Sequence, residues 1–407
     1  MNNIDHMKIL KRYLYTLNEH KGSDLHIKSN APIRARINEE IVQLSSDVLH
    51  ADSVENIARE IAGKNYILFM KEHELDSIYV LDDELRFRVN MFVHLNGLAI
   101  VFRLIPKTIR SVEELNLPQG VHQLCELKRG LVFITGTTGS GKSTTLASVI
   151  EEINTKQARH IITIEDPVEY VYSDKKCIIE QRGIGHHTHS FNAALRSAMR
   201  EDPDIIVVGE LRDIETAESV LHAVNTGQLV FTTLHTTDAR ETIDRLIAIF
   251  PTSEQNRVRM SLASNLKAVI SQRLIRSLHD ELIPAVEMMF ISPRIEYMIR
   301  AGQDADIPEV MAQERHSFGS VTFNQALFDL ALAGEISEET AFSYATSASD
   351  LKLLFTTSTQ YQELKDKASP EEIHLKDEEE KRRKEEAEEK EKSESRQEAL
   401  HKLNEQL

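Results

Sequence analysis

Cysteine is scarce in this chain: Cys125 and Cys177 are the only two in 407 residues, far apart and outside any CxxC pair. Two thiols cannot build a four-cysteine zinc site. They read as reduced thiols of a cytosolic protein, not as a disulfide framework. Long apolar runs are also missing. No stretch approaches the ~20 residues that a membrane span needs, so membrane association is expected only through partners. Near the start, Ile4, Met7, Leu10, Leu14 and Leu17 recur at helical spacing broken by charges, which is not a signal-peptide pattern. Positive charge is in deficit: 48 Lys and Arg face 65 Asp and Glu, a net charge of −17. Nonspecific nucleic-acid binding depends on phosphate neutralisation by basic side chains, so no direct nucleic-acid partner is expected. No NKxD base-reading motif is present, which argues against a GTPase.

Patterning divides what is there into three parts. Residues 1–107 read as a small mixed α/β domain. A first helix ends near Gly22, extended pieces lie at Asp24–Ile27 and Arg34–Ile37, and a helical stretch runs over 53–69. Two strands follow. In the first, Phe87, Val89 and Met91 alternate with Arg86, Arg88 and Asn90, which predicts a half-buried strand with arginines outward. The second runs from Leu98 to Ile105 and stops at Pro106. Residues 108–355 contain continuous apolar runs at 131–135, 160–164, 205–208 and 229–233, separated by helical segments such as 142–154 and 191–201. Such runs suit buried strands of a largely parallel, doubly wound sheet. Residues beyond 255 read as mostly helical, with their Met and Phe positions in the core. Residues 356–407 form a charged tail. Glu378/Arg382, Glu379/Arg383 and Glu380/Lys384 are i,i+4 pairs without an apolar stripe, the mark of an exposed helix or a disordered segment. Its minority reading is a docking arm, for which Leu400, Leu403 and Leu407 offer a short contact.

The chemistry centres on Gly136-Thr137-Thr138-Gly139-Ser140-Gly141-Lys142-Ser143, with Thr144 beside it. It fits the GxxxxGK[ST] phosphate loop and lies between a predicted strand and a predicted helix, as that motif requires. Glycines let backbone N–H groups converge on phosphate oxygens, and the helix points its positive end at the same anion. Lys142 reaches the β- and γ-phosphates of ATP, and Ser143 ligates Mg²⁺. Two acids sit at predicted strand tips. Glu165 follows the strand at 160–164 and Glu210 follows the one at 205–208. Catalytic groups gather at strand carboxyl ends in open α/β sheets. One acid can position or deprotonate water while the other serves the metal. His235, just past the strand at 229–233, is a candidate sensor of the γ-phosphate.

The phosphate loop, IITIEDPVEY, REDPDIIVVGELRD and TGQLVFTTLHTTDARETIDRLIAIFP together resemble the secretion-superfamily hexameric ATPases. GSDLHI, RFRVNMF, VFRLIP, the segment Met298–Gly302 and FNQALFDLALAGEIS are similar to the PilT/PilU class of type IV pilus retraction motors. The resemblance covers about residues 1–355. It implies an α/β fold: an N-terminal PAS-like α/β domain, a RecA-like P-loop NTPase domain with a helical C-terminal region, and a charged tail. Under it Glu165 is the general base and Glu210 the Mg²⁺-linked acid. Arg88 and Arg103 reach the nucleotide from the N-terminal domain, and His235 contacts the γ-phosphate region. It implies a homohexamer at the inner face of the bacterial inner membrane, acting on a membrane platform protein to drive twitching motility. The family usually has His where this chain has Gln228, which bears on how that segment senses nucleotide.

Two other readings come from the same residues. One is an accessory subunit, PilU-like, that binds a second retraction ATPase and turns over little ATP itself. Intact Lys142 and Glu210 argue for a live site, and Gln228 argues slightly the other way. The other is a DNA-transfer ATPase, which the acidic charge disfavours. His186, His187 and His189 resemble a metal cluster only superficially, because adjacent side chains of an extended chain diverge. Basic residues around Leu274–Arg276 read as interface or surface.

Overall fold

Period-two burial builds the first sheet. The computed structural model describes residues 6–37, 40–82, 85–106 and 108–362. Helix α1 (His6–Glu19) buries Leu10, Tyr13, Leu14 and Leu17 along one face. Strands β1 (Asp24–Lys28), β2 (Ala31–Ile37) and β3 (Glu40–Leu49) follow, then helices α2 (Ala51–Ala62) and α3 (Tyr66–Glu72). Strands β4 (Glu74–Val80), β5 (Arg86–His94) and β6 (Gly97–Ile105) complete an antiparallel sheet of order β3-β2-β1-β6-β5-β4. Phe87, Val89 and Met91 of β5 are fully buried, as their alternation predicts. Arg88 pairs with Arg103 across β5 and β6, so the two cations share one face. The expected helix over 53–69 is broken at Gly63, whose φ of +50° closes α2 before a short 3₁₀ turn leads into α3. Strands β3 and β4 were not anticipated. Their partly exposed faces dilute the apolar alternation on which that reading depends.

The second sheet carries the phosphate loop. Its strands are β7 (Gly130–Thr135), β8 (His160–Glu165), β9 (Ile178–Gly183), β10 (Ile205–Val208), β11 (Leu229–Leu234), β12 (Leu266–Arg276) and β13 (Leu282–Phe290). Their order is β13-β12-β7-β11-β10-β8-β9, parallel throughout except for the antiparallel edge strand β13. Every residue of β7, β10 and β11 is buried, as expected for central strands covered on both faces. Helices α4 (Lys142–Lys156), α5 (Phe191–Ala198), α6 (Ile214–Asn225), α7 (Ala239–Ala248) and α8 (Thr252–Asn265) connect them. Two apolar cores lie against this sheet. One contains Phe133, Ile162 and Val208, the other Val132, Ile134 and Phe231.

The mostly helical reading beyond 255 is corrected by the β12–β13 hairpin. Leu266–Arg276 mixes apolar residues at both helical and strand spacing. Pairing with β7 decides for the strand, because it buries Ala268, Val269 and Ile270 against the central sheet. Asp280, with φ +64°, lies in the turn between the two strands. Helices α9 (Pro293–Ala301), α10 (Ile307–Gln313) and α11 (Arg315–Phe318) come next. Gly302, at φ +71°, caps α9.

The chain divides into two units, Met1–Phe323 and Asn324–Leu407. Helices α12 (Phe323–Leu332), α13 (Glu338–Ser343) and α14 (Ala348–Thr357) follow the hairpin region in sequence. In the second unit Phe355 packs on Phe328 and Tyr361 with ring centroids 5.1 and 4.7 Å away. The charged pairs from Glu378 to Lys384 and Leu400, Leu403 and Leu407 lie outside the described residues. Among the described residues no helix is long and apolar enough to cross a membrane.

Candidate nucleotide site

The loop between β7 and α4 turns on three glycines with positive φ: Gly136 at +145°, Gly139 at +79° and Gly141 at +88°. Two of them are also demanded by packing. A Cβ on Gly136 would lie 2.4 Å from the Gln272 carbonyl and from Ser140 Oγ, and one on Gly141 would lie 2.8 Å from Gln272 Nε2. Gln272 belongs to β12, and its Oε1 accepts the Thr145 hydroxyl at 2.7 Å. Thr135 Oγ1 donates to Ser271 Oγ at 2.9 Å. The strand that sequence reading took for helix therefore braces the loop from beneath.

No side chain caps α4, which begins at Lys142 with Gly141 as its N-cap. Its first N–H groups and its dipole favour an anion at that end. Lys142 is buried and donates to the carbonyls of Gly136 and Thr137 at 2.8 and 2.9 Å. Burial pushes its pKa down, opposed by the charges of Glu210 and Glu169. A third contact places Lys142 Nζ 3.4 Å from His235 Nδ1. An ammonium can only donate, so Nδ1 accepts and Nε2 carries the imidazole proton. Nε2 faces Glu210 Oε1 at 3.3 Å. Arg212 closes the row, its Nε and Nη2 donating to Glu210 Oε2 at 2.8 and 2.7 Å. Lys142, His235, Glu210 and Arg212 thus form one line of alternating donors and acceptors.

Glu165 ends β8 and is half-buried. Its Oε1 accepts from Thr163 Oγ1 at 2.6 Å and from Gln181 Nε2 at 3.2 Å, and its Oε2 accepts the Glu169 N–H at 3.3 Å. Burial raises its pKa above the usual carboxylate range, while these three donors pull the other way. Tyr170, in the following loop, meets Thr144 Oγ1 at 2.9 Å. Arg88 and Arg103 line the same cavity of about 700 Å³ as Lys142, Ser143, Glu165, Glu210 and His235. Arg103 Nε donates to Asp24 Oδ1 at 2.7 Å, and Arg88 Nε lies 3.9 Å from Asp76 Oδ1. Thr138, Gly139, Gly141 and Thr144 also face the cavity, whereas Gly136, Thr137 and Ser140 do not line it.

Gln228 stands elsewhere. It precedes β11, its carbonyl accepts the Gly130 N–H at 3.1 Å, and its Oε1 accepts the Thr226 hydroxyl at 2.6 Å. The whole of β11, roughly 20 Å at ~3.3 Å per residue, separates it from His235. Within one chain Gln228 and His235 therefore stand at opposite ends of β11. His187 Nδ1 accepts the Gly183 N–H at 3.0 Å, which gives it a turn-bracing contact. Arg212 and Gln181 were missed by sequence reading. Arg212 stood in the acidic strand segment, two residues from Glu210, and that proximity was the available signal.

The family model for type II/IV secretion system proteins matches residues 6–288. The type IV pilus retraction ATPase PilT of Pseudomonas aeruginosa is 40% identical over 321 residues, which cover 79% of this chain and 93% of that one. The type IV pilus ATPase PilU of the same organism is 34% identical over 346 residues, covering 84% and 90%. A crystal structure of the pilus retraction motor PilT with bound ADP superposes with a TM-score of 0.79 at 37% identity, covering 84% of this chain and 99% of that one. The chain belongs to the type II/IV secretion system protein family, as a PilT/PilU-like type IV pilus ATPase.

Proposed function

We propose that this chain hydrolyses ATP to drive type IV pilus retraction, as a homohexamer on the cytoplasmic side of the inner membrane. In this reading the segment 1–107 closes on the segment 108–355 around each nucleotide, and the ring's motion is passed to a membrane platform protein. The observation that carries it is the convergence of Arg88 and Arg103 from the first sheet with Lys142, Glu165, Glu210 and His235 from the second on one cavity. Lys142 would exchange its loop carbonyls for phosphate oxygens. Glu165, made more basic by burial, would take the proton of the attacking water. The two arginines would offset charge on the transferring phosphoryl group.

The donor set suits Mg²⁺ carried in with ATP. Among the described residues no three His, Cys, Asp or Glu could hold a metal by themselves. Mg²⁺ bound with a nucleotide needs only one or two protein ligands besides phosphate oxygens and water. Ser143 in the first turn of α4 and Glu210 beyond β10 supply them. The bound ion would neutralise charge on the phosphate oxygens.

Glu165→Gln should retain ATP binding and lose turnover. Wild-type turnover in that variant would remove Glu165 from the role of base. An accessory role beside a second retraction ATPase is the second reading; the 34% identity to PilU keeps it in view, and the 40% identity to PilT does not yield to it. It predicts negligible turnover by the chain alone and restored turnover on adding the partner ATPase.

A further inference from the structure

We infer that Gln181 is a positioning residue for the Glu165 carboxylate, fixing which of its two oxygens is left to face water. The inference rests on the reading of Glu165 as general base. Gln181 lies on β9 directly beside Thr163 of β8 in the parallel register. Both side chains reach the same oxygen, Glu165 Oε1, Thr163 Oγ1 donating at 2.6 Å and Gln181 Nε2 at 3.2 Å. The second proton of Gln181 Nε2 goes to the Tyr170 carbonyl at 2.7 Å, and its Oε1 accepts the Tyr172 N–H at 2.9 Å. One primary amide therefore holds the carboxylate and two points of the loop that follows it.

Only a primary amide answers all three demands. A carboxylate at 181 would repel Glu165, an ammonium could not accept from Tyr172, and an apolar chain would do neither. With Oε1 held by two donors, Oε2 has among the described residues only the longer 3.3 Å bond from the Glu169 N–H. Oε2 is thus the oxygen with capacity left for a water proton. The same loop reaches the phosphate-loop helix, since the Tyr170 hydroxyl meets Thr144 Oγ1 at 2.9 Å, one residue from Ser143. Gln181 thereby keeps the base in register with the nucleotide from a strand that touches no phosphate-loop residue through this side chain.

The test compares Gln181→Met, Glu165→Gln and the double variant of the full chain, in steady-state and single-turnover hydrolysis. Gln181→Met should lower kcat by roughly 10–100-fold while KM for ATP changes by less than about threefold, the mark of an interaction used in the chemical step. In the Glu165→Gln background Gln181→Met should cost nothing more, because residues that act through one another are non-additive. Additive losses, or a wild-type kcat in Gln181→Met, would overturn the proposal. Thr163→Val is the companion should Gln181→Met fail to fold. It removes the other donor from Oε1 and leaves the loop bonds in place. Its effect too should vanish in the Glu165→Gln background, and its persistence there would overturn the proposal. Wild-type turnover in Glu165→Gln alone would overturn the base assignment itself, and the inference with it.

Discussion

Arg88 and Arg103 face each other across β5 and β6, yet their removal should affect stability differently. Arg103 Nε holds Asp24 Oδ1 at 2.7 Å, and the Asp24 side chain is only 4% exposed. Without the guanidinium that carboxylate keeps the Ser23 hydroxyl, which donates to Oδ2 at 2.7 Å. Leaving a buried charged acceptor short of a donor costs about 1–3 kcal/mol. Arg103 itself is 65% exposed, so solvent screens the pair and the lower half of that range applies. Arg88 sits 3.9 Å from Asp76, whose side chain is 56% exposed. Its loss should cost no more than about 0.5 kcal/mol, as for most exposed pairs. Calorimetry of the full chain should therefore show Arg103→Ala melting a few degrees below Arg88→Ala. Adding Asp24→Asn to Arg103→Ala should recover most of the loss, because the stranded charge is gone. Equal melting temperatures for the two single variants, or no recovery in the double variant, would refute the reasoning. Both arginine variants should also slow turnover, and normal turnover in both would sink the domain-closure mechanism.

Two further outcomes follow from the geometry. Gly136→Ala places a Cβ 2.4 Å from the Gln272 carbonyl at a φ of +145°, so it should abolish nucleotide binding, read with a fluorescent ATP analogue. Binding at wild-type affinity would show that β12 does not constrain the loop. Burial pushes the Glu287 carboxyl up to about 7, opposed by N–H groups of Ala239 and Phe323 and by Arg273, and helped by the charge of Asp238. The folded chain then binds this proton more tightly than the unfolded chain. Its contribution to stability is fully present below the usual carboxylate pKa and is lost as pH rises through about 7. Glu287→Gln should flatten that part of a melting-temperature curve against pH. An unchanged slope would reject Glu287 as its source.

The phosphate loop was legible because its constraint is local. Gly136, Gly141 and Lys142 lie within one turn of chain, and each answers to backbone geometry or phosphate charge. Glu165 and Glu210 were legible for a related reason, since an acid after an apolar run marks a strand tip. The hairpin β12–β13 was not, because Leu266–Arg276 carries both periodicities and its neighbour β7 lies more than a hundred residues earlier. Gln181 and Gln272 were missed on the same account. Each is a neutral amide on a strand, and its meaning depends on partners that only the folded sheet brings near. Gln228 lies close to His235 in sequence, but β11 carries the two residues to opposite ends of that strand.

The central claim is tested most directly by ATP turnover of the purified chain over a concentration series, with Lys142→Ala as control. The account predicts turnover per subunit that rises as rings assemble and falls at least about a hundredfold in the variant, which lacks the cation meeting the transferring phosphates. Turnover that survives Lys142→Ala, or none in folded and assembled wild-type protein, would contradict it.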